Sequence, residues 1–396
     1  MSHGNSQSQP TQERSTLAPG RSLRIAFDAR YIREKPSGIG TYVEALVERL
    51  PSLGATDEFV FWAHRLAGRH LTNAANAREL VVRPNPNSPR TIFWPRLFAS
   101  FDGIDVFHTP QNILPQGVPC ASVVTMHDVM SIERPDLHMQ GAERIFTSGY
   151  YQRAVWRALR KATRLIAVTQ ATADRMIALL PEVAPRVRVI WEAADAVFQP
   201  AADRDVAQKK ASELTGSDAP YLLLVGANAP TKRHAMALAA FAAKVPRPWR
   251  LVLLQRLRSG KGLAALANKL GIADRLVWLS RVTQADVAVL MQAAGALIQP
   301  SIYEGVGLPV LEAMACGCPV VASDIAPFRE ITAGAARLFP MDDPAALANA
   351  LRDVTASAEL QRSLGEAGLA RSGVFSWDRA ARETLEVYHD AAAARA

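Results

Sequence analysis

Ser301-Ile-Tyr-Glu-Gly-Val-Gly-Leu-Pro-Val-Leu-Glu-Ala-Met-Ala-Cys-Gly317 follows a short apolar run, Ala296 to Gln299. The run reads as the end of a strand, Pro300 to Gly307 as a loop, and Leu308 to Cys316 as a helix. Pro309 suits the first helical turn, and Gly317 suits the end. A strand that passes through a glycine turn into a helix is the repeating unit of a parallel α/β sheet. The free N–H groups at the helix start suit an anion such as a diphosphate, and Gly305 and Gly307 let the backbone approach it closely. Two carboxylates, Glu304 and Glu312, would repel that anion, so their partners are expected to be hydroxyl groups, of a sugar for Glu304 and of a ribose for Glu312. On these residues alone, a helix cap and a solvated first-turn acid account for the two glutamates equally well.

The same alternation runs through the chain. Strands are expected at Leu23 to Asp28, Phe59 to Ala63, Leu80 to Val82, Val106 to His108, Ser122 to Met126, Leu165 to Val168 and Val187 to Ile190. A second series runs through Tyr221 to Val225, Leu251 to Leu254, Leu276 to Leu279, Ala296 to Gln299, Val320 to Ala322 and Arg337 to Phe339, with helical patterns between most of them. The fold class is therefore α/β with two mainly parallel sheets, and a ligand belongs at the carboxyl ends of the strands, in the crevice between them. The divisions expected are a disordered tail over 1–21, a first domain over 22–200, a polar linker over 201–219, a second domain over 220–374 and a terminal helix over 375–396. With 396 residues, 49% of them hydrophobic, the chain can supply two sizeable cores. The tail, rich in Ser, Gln, Thr and Pro, does not read as a signal peptide, and no run approaches the roughly 18 apolar residues of a membrane span. Three cysteines, at 120, 316 and 318, suit neither a disulfide framework nor zinc, which points to a reducing cytoplasm.

The charge balance is +8. Arg144, Arg153, Arg157, Arg160, Lys161 and Arg164 fall in one expected long helix together with Tyr150, Tyr151 and Trp156. That combination fits an anionic membrane surface as well as it fits a solvated basic face with inward-packed aromatics. No nucleic-acid motif is present, and a diphosphate-bearing substrate or a lipid-linked acceptor accounts for the positive balance, so nucleic acid is not an expected partner. Asp203 and Asp205 lie in the expected linker and read as surface charge. Lys232, in Val225-Gly-Ala-Asn-Ala-Pro-Thr-Lys-Arg-His234, stands where a strand gives way to a helix, within reach of a phosphate. Ser37-Gly38-Ile39-Gly40 precedes a helical pattern that begins near Tyr42, and His127-Asp128 falls at a strand's carboxyl end.

The segment from Tyr303 to Ser323, with its two glutamates, resembles the donor-site signature of the retaining glycosyltransferases of family 4. The likeness extends through Ile25 to Arg30, Ser37 to Tyr42, Thr125 to Val129, Val225 to Lys232 and Phe375-Ser-Trp377. It implies the GT-B fold: two Rossmann-like domains face a cleft, and a carboxy-terminal helix crosses back to the first. It also implies a nucleotide-diphosphate sugar as donor, retention of anomeric configuration, the departing diphosphate as base, and no metal or other cofactor. Carried over residue by residue, Glu304 holds the sugar, Glu312 the ribose, and the amides of Gly305, Val306, Gly307 and Leu308 the diphosphate. Lys232 assists them. The family commonly has an Arg-Lys pair there, whereas Thr231 precedes Lys232 here, and Arg233 is the candidate substitute. Gly38 and Gly40 approach the donor phosphates or the acceptor, and His127 contacts the sugar near its reacting carbon. Asp128 positions His127 or its loop, His108 lies on the acceptor side, and the base rests near Ser280 to Thr283. Mannose from a GDP donor, a saccharide or lipid-linked saccharide acceptor, and a role in bacterial surface or exopolysaccharide synthesis complete the expectation. A sugar-nucleotide epimerase, a phosphorylase and a non-catalytic sugar-nucleotide-binding partner remain as alternatives on the same fold.

Overall fold

The computed structural model describes residues 21–34, 37–138, 143–255 and 260–395. Except for Arg21, the expected tail lies outside the described residues, as does the side chain of Arg144. Strands β1 Arg24–Phe27, β2 Glu58–Ala63, β3 Ala77–Val81, β4 Val106–Thr109, β5 Ala121–Met126, β6 Arg164–Ala167 and β7 Val187–Val189 form one sheet. Strands β8 Tyr221–Val225, β9 Arg250–Leu254, β10 Leu276–Leu279, β11 Ala296–Gln299, β12 Val320–Ser323 and β13 Arg337–Phe339 form the other. The orders are β3-β2-β1-β4-β5-β6-β7 and β10-β9-β8-β11-β12-β13, with every pairing parallel. Each order reverses direction once, between β1 and β4 in the first sheet and between β8 and β11 in the second. Loops leaving the carboxyl ends of these strands therefore diverge around an open crevice.

Strands covered on both faces must be apolar throughout. Strands β5 and β11 are buried at every residue and follow this except at Ser122, Thr125 and Gln299. Strand β3 differs: it is an edge strand with alternating half-buried and exposed residues, and its start at Ala77 escapes a search for apolar runs.

Three further elements depart from expectation. The helix Gly38–Leu53 starts at Gly38, not near Tyr42, because the Ser37 hydroxyl caps it by accepting from Gly40 N at 3.1 Å. The polar stretch 201–219 contains a helix, Arg204–Thr215, capped by Asp203 and closed by Gly216 in the left-handed conformation. Its buried face consists of Ala207, Ala211 and Thr215, too small to stand out as a hydrophobic stripe, and it packs on the Gln284–Ala293 helix. Asp203 is thus a helix cap in addition to surface charge. The basic helix Glu143–Lys161 stops before Arg164, which opens β6. Tyr151 is buried on that helix, and Tyr150 and Trp156 pack against the same core, while Arg153, Arg160 and Lys161 remain exposed.

The last helix, Trp377–Ala393, begins at Ser376 and returns to the first sheet alongside Gly38–Leu53. Asp378 accepts from Arg49 at 2.7 Å, and the Tyr388 hydroxyl lies 2.7 Å from His108 Nδ1. Among the described residues no helix is long and apolar enough to cross a membrane.

Candidate active site

The helix Leu308–Ala315 starts at Gly307, whose φ of +88° and close approach to Phe328 leave no space for a side chain; a Cβ would lie 2.4 Å from the Phe328 ring. Gly305 is constrained from across the crevice. A Cβ there would lie 1.7 Å from the carbonyl oxygen of His127, so the two bodies meet at a bare backbone. At Gly38 an added Cβ would lie 3.6 Å from Leu308 Cδ1, which brings the starts of the Gly38–Leu53 and Leu308–Ala315 helices together across the crevice. The start of the Gly38–Leu53 helix and the 305–308 backbone therefore border one space.

Further contacts hold the loop to the first body. Thr169 donates its hydroxyl to the carbonyl of Gly305 at 2.9 Å, and Arg175 Nη1 donates to the carbonyl of Glu304 at 3.3 Å. Tyr303 donates to Glu133 at 2.7 Å, with the Arg175 guanidinium 4.2 Å from the Tyr303 ring centre. Behind the loop, both oxygens of Glu330 accept from the backbone N–H groups that start the Gln170–Leu179 helix.

Lys232 Nζ donates to Glu304 Oε1 at 2.5 Å, and Gln299 Nε2 donates to the same oxygen at 3.2 Å. The ammonium and carboxylate assigned from sequence to phosphate and sugar are thus paired with each other. Arg233 is the αL residue (φ 45°) before the His234–Lys244 helix. Its guanidinium donates to Met341 O at 2.9 Å and pairs with Asp342 at 2.7 Å, so it does not replace the family's arginine beside Lys232.

His127 follows β5 with an acceptor close to each ring nitrogen. Nδ1 lies 2.9 Å from the buried carboxylate of Glu192 and Nε2 lies 3.0 Å from Pro110 O, while Tyr42 packs edge-on at 5.1 Å. Burial opposes the charged ring, but Glu192, the Pro110 carbonyl and Asp128 overcome it and raise the His127 pKa above 6.5. An acceptor thus stands against each ring nitrogen, and the backbone carbonyl of His127 is the atom facing Gly305. Asp128 accepts from Met130 N at 2.9 Å and so fixes the loop after His127.

His108, expected on the acceptor side, lies in the core. It is fully buried between Tyr388 and Thr125 (2.7 and 2.8 Å), and burial, with His127 nearby, pushes its pKa down to about 3. What borders the crevice on that side is a cavity of about 570 Å³ beside the Gly38 helix start, lined by Tyr31, Arg33, Ser37, Ile39, Asn85 and Asn87.

Glu312 sits half-buried on the Leu308–Ala315 helix, where burial and then Asp195 push its carboxyl up to about 7. In the stretch expected to carry the base, Thr283 accepts from Asp286 N at 3.1 Å and caps the next helix. Among the described residues no three His, Cys, Asp or Glu side chains form a metal-binding group.

Glu192, Gln299, Thr169 and Arg175 were not singled out from sequence. Glu192 and Thr169 follow strands β7 and β6 at their carboxyl ends, and an acid in the otherwise apolar Ile190-Trp-Glu-Ala-Ala194 was the available signal.

Residues 36–197 match the model of Glycosyltransferase Family 4, and residues 205–371 match that of Glycosyl transferases group 1. The O-antigen chain mannosyltransferase B of Escherichia coli is 25% identical over 389 residues, covering 92% of this chain and 99% of the relative. The D-inositol 3-phosphate glycosyltransferase of Streptomyces coelicolor is 37% identical over 134 residues, covering 33% of this chain and 29% of that one. Among solved structures, a sucrose-phosphate synthase from Thermosynechococcus elongatus superposes with a TM-score of 0.74 at 21% identity, over 94% of this chain and 100% of the other. HepE from Anabaena, in complex with UDP and glucose, superposes with a TM-score of 0.70 at 18% identity, over 93% and 100%. With both sheets, the crossing helix and the two matched models in agreement, the chain belongs to the group 1, family 4 glycosyltransferases of the GT-B fold.

Proposed function

We propose that this chain is a retaining, metal-independent hexosyltransferase that moves mannose from a GDP donor to a hydroxyl of a saccharide acceptor, lipid-linked, in the building of a bacterial surface polysaccharide. The observation that carries this reading is the meeting of Lys232–Glu304, the 305–308 amides, the Gly38 helix start and His127 around one crevice. The choice of mannose and of a growing polysaccharide is supported by the Escherichia coli relative, which matches over nearly its full length. A nucleotide sugar as donor is supported by the UDP complex of HepE.

In this reading the diphosphate lies between the two helix starts, where N–H groups and partial positive charge already point inward. Lys232 turns from Glu304 to the diphosphate, and Glu304 then accepts from the sugar hydroxyls. The bond between the sugar's anomeric carbon and the phosphate oxygen breaks, and its electron pair goes to the diphosphate. The acceptor hydroxyl bonds to the same face of that carbon, and its proton passes to the departing phosphate oxygen. Positive charge grows on the ring and negative charge on the phosphate, so catalysis consists of holding both. His127, with its pKa raised and an acceptor against each ring nitrogen, is poorly placed to act as a base; its carbonyl oxygen is the group suited to the ring's positive charge. The cavity lined by Tyr31, Asn85 and Asn87 takes the acceptor, and the exposed basic edge of the Glu143–Lys161 helix faces an anionic membrane.

Binding without turnover is the reading that gains from Arg233 being held by Asp342, which leaves Lys232 as the one cation of the expected pair. Calorimetric titration with GDP-, UDP-, ADP- and dTDP-sugars, followed by turnover with oligosaccharide acceptors, separates the two. Selective binding of one donor that is lost in Glu312→Ala, with transfer of its sugar, supports the proposal. Binding with neither transfer nor hydrolysis overturns it in favour of the binding partner.

A further inference from the structure

Large apolar side chains exposed on this protein are mostly scattered, but three fall within five residues: Trp94 at 56%, Leu97 at 75% and Phe98 at 36% exposure. Trp94 and Phe98 flank the short turn Pro95–Leu97 and Leu97 ends it, so the three exposed side chains cluster around one turn of chain. The turn satisfies its own backbone, since Leu97 N donates to Trp94 O, Phe98 N to Pro95 O and Ala99 N to Pro95 O. On either side it is pinned to the core by fully buried Ile92 and by Ala99. A rigid turn with satisfied amides and an outward apolar face can enter a lipid interface without exposing backbone to hydrocarbon.

Charge complementarity names the occupant. From Leu80 to Phe101 the chain carries Arg83, Arg90 and Arg96 and no acid, and all three arginines are exposed without an ion-pair partner among the described residues. The exposed Arg153, Arg160 and Lys161 of the Glu143–Lys161 helix belong to the same flank. Ile92 and Phe93 share a core cluster with Tyr151 and Val155 of that helix, and the intervening loop bonds to both sides, Gln116 N to Ile92 O and Leu114 N to Ala154 O. Arg96 also lines a cavity of about 620 Å³ with Arg21 and Arg395. Of its two acids, Asp105 is paired with Arg21, and Asp102 accepts from Ser100. The basic helix thus supplies charge with its aromatics turned inward, and the turn supplies the missing apolar face with a tryptophan at its edge.

We propose that Trp94-Pro-Arg-Leu-Phe98 is an interfacial anchor that seats the first body on an anionic membrane surface. The anchor deepens the membrane partner of the proposed function and is independent of donor identity. Insertion of the three side chains supplies the hydrophobic part, and the arginines and lysine on this flank supply electrostatic attraction to anionic lipid. From the acceptor cavity at Asn87, one short helix, Pro89–Phe93, leads to the anchor.

The test uses the full chain and sedimentation with vesicles of phosphatidylcholine alone or mixed with phosphatidylglycerol. Binding should require the anionic lipid, and Trp94→Glu/Leu97→Glu should weaken it at least about tenfold. The variant should keep its melting temperature and its donor affinity in solution. Trp94→Phe should still bind but lose the lipid-induced blue shift of the tryptophan emission. Absence of wild-type binding, or full binding by the double glutamate variant, overturns the anchor while leaving donor titration and transfer to a soluble acceptor as separate measures of the enzyme. A wild-type dimer that the double variant converts to monomer also overturns it and assigns the face to a second copy of the chain.

Discussion

The two sides of the crevice reach the same place by opposite routes. On the second body, Gln299, Glu304, Gly305, Gly307 and Glu312 come from one strand, loop and helix, with Lys232 added from the neighbouring strand's end. On the first body, His127 after β5 depends on Pro110 after β4, Glu192 after β7 and Tyr42 in a helix after β1. A site half written into one continuous segment is fixed by local backbone geometry, whereas a half assembled from three loops and a helix is fixed by packing and charge. Substitutions should therefore act differently on the two sides.

Gly305→Ala should have the largest effect, because it strikes a point where the two halves meet backbone to backbone. A methyl group 1.7 Å from the His127 carbonyl forces the bodies apart, and turnover should fall by more than about 100-fold, as expected when reacting groups are displaced by an ångström. Steady-state kinetics, with small-angle scattering to detect the opening, would check this. Wild-type turnover in the variant would mean that the halves need not meet in catalysis, and would break the comparison at its root.

Glu304→Gln comes next. It removes a carboxylate that Lys232 and Gln299 share while keeping the shape, and kcat should drop about 100-fold with only a modest change in donor affinity. A loss confined to KM would move Glu304 from the sugar to the nucleotide.

Legibility followed the same division. The strands and the glycine turn could be read because buried parallel strands are largely apolar and because Gly307 has no alternative at φ +88°, whereas the motif glutamates were marked by the family resemblance. His127 was legible by position alone. Its partner Glu192 was not, since it lies 65 residues away in sequence and nothing local to either residue announces the pairing. His108 shows the converse failure. It also occupies a carboxyl-terminal strand position, yet Tyr388 from the returning helix closes over it, and that packing is invisible without the fold. Arg233 likewise stands in the right sequence position and turns to Asp342.

Glu192→Gln tests the assembled half and should cost less, about tenfold in kcat, because Glu192 is a positioning residue and touches no substrate. Loss of the carboxylate should let the His127 pKa fall, so activity should recover as pH is lowered and the ring charges again. Nitrogen chemical shifts of His127 in the two proteins would follow the same change directly, and Glu192→Asp should restore part of both. An unaltered His127 titration in Glu192→Gln would show that the Pro110 carbonyl and Asp128 suffice, and would remove Glu192 from the site.

The smallest effect sharpens the comparison from the other side, at Glu312. Its carboxyl titrates near 4.5 when exposed and near 7 in the fold, so the empty protein binds a proton that the unfolded chain has lost. Stability contributed by that proton is complete below about 4.5 and disappears as pH rises through about 7. A ribose prefers the opposite form, because its hydroxyls donate to the carboxylate and not to the neutral acid. Donor binding should therefore tighten as pH rises through about 7 and level off above it, by a factor of up to about ten per pH unit on the rising side. Titrating the cognate donor by calorimetry across this range, in buffers of different ionisation enthalpy, should also show proton release on binding. Glu312→Gln should bind more weakly and without the pH dependence. A wild-type affinity flat across the range would mean that the nucleotide contacts this helix through its amides alone, leaving the glutamate to the protein's own packing.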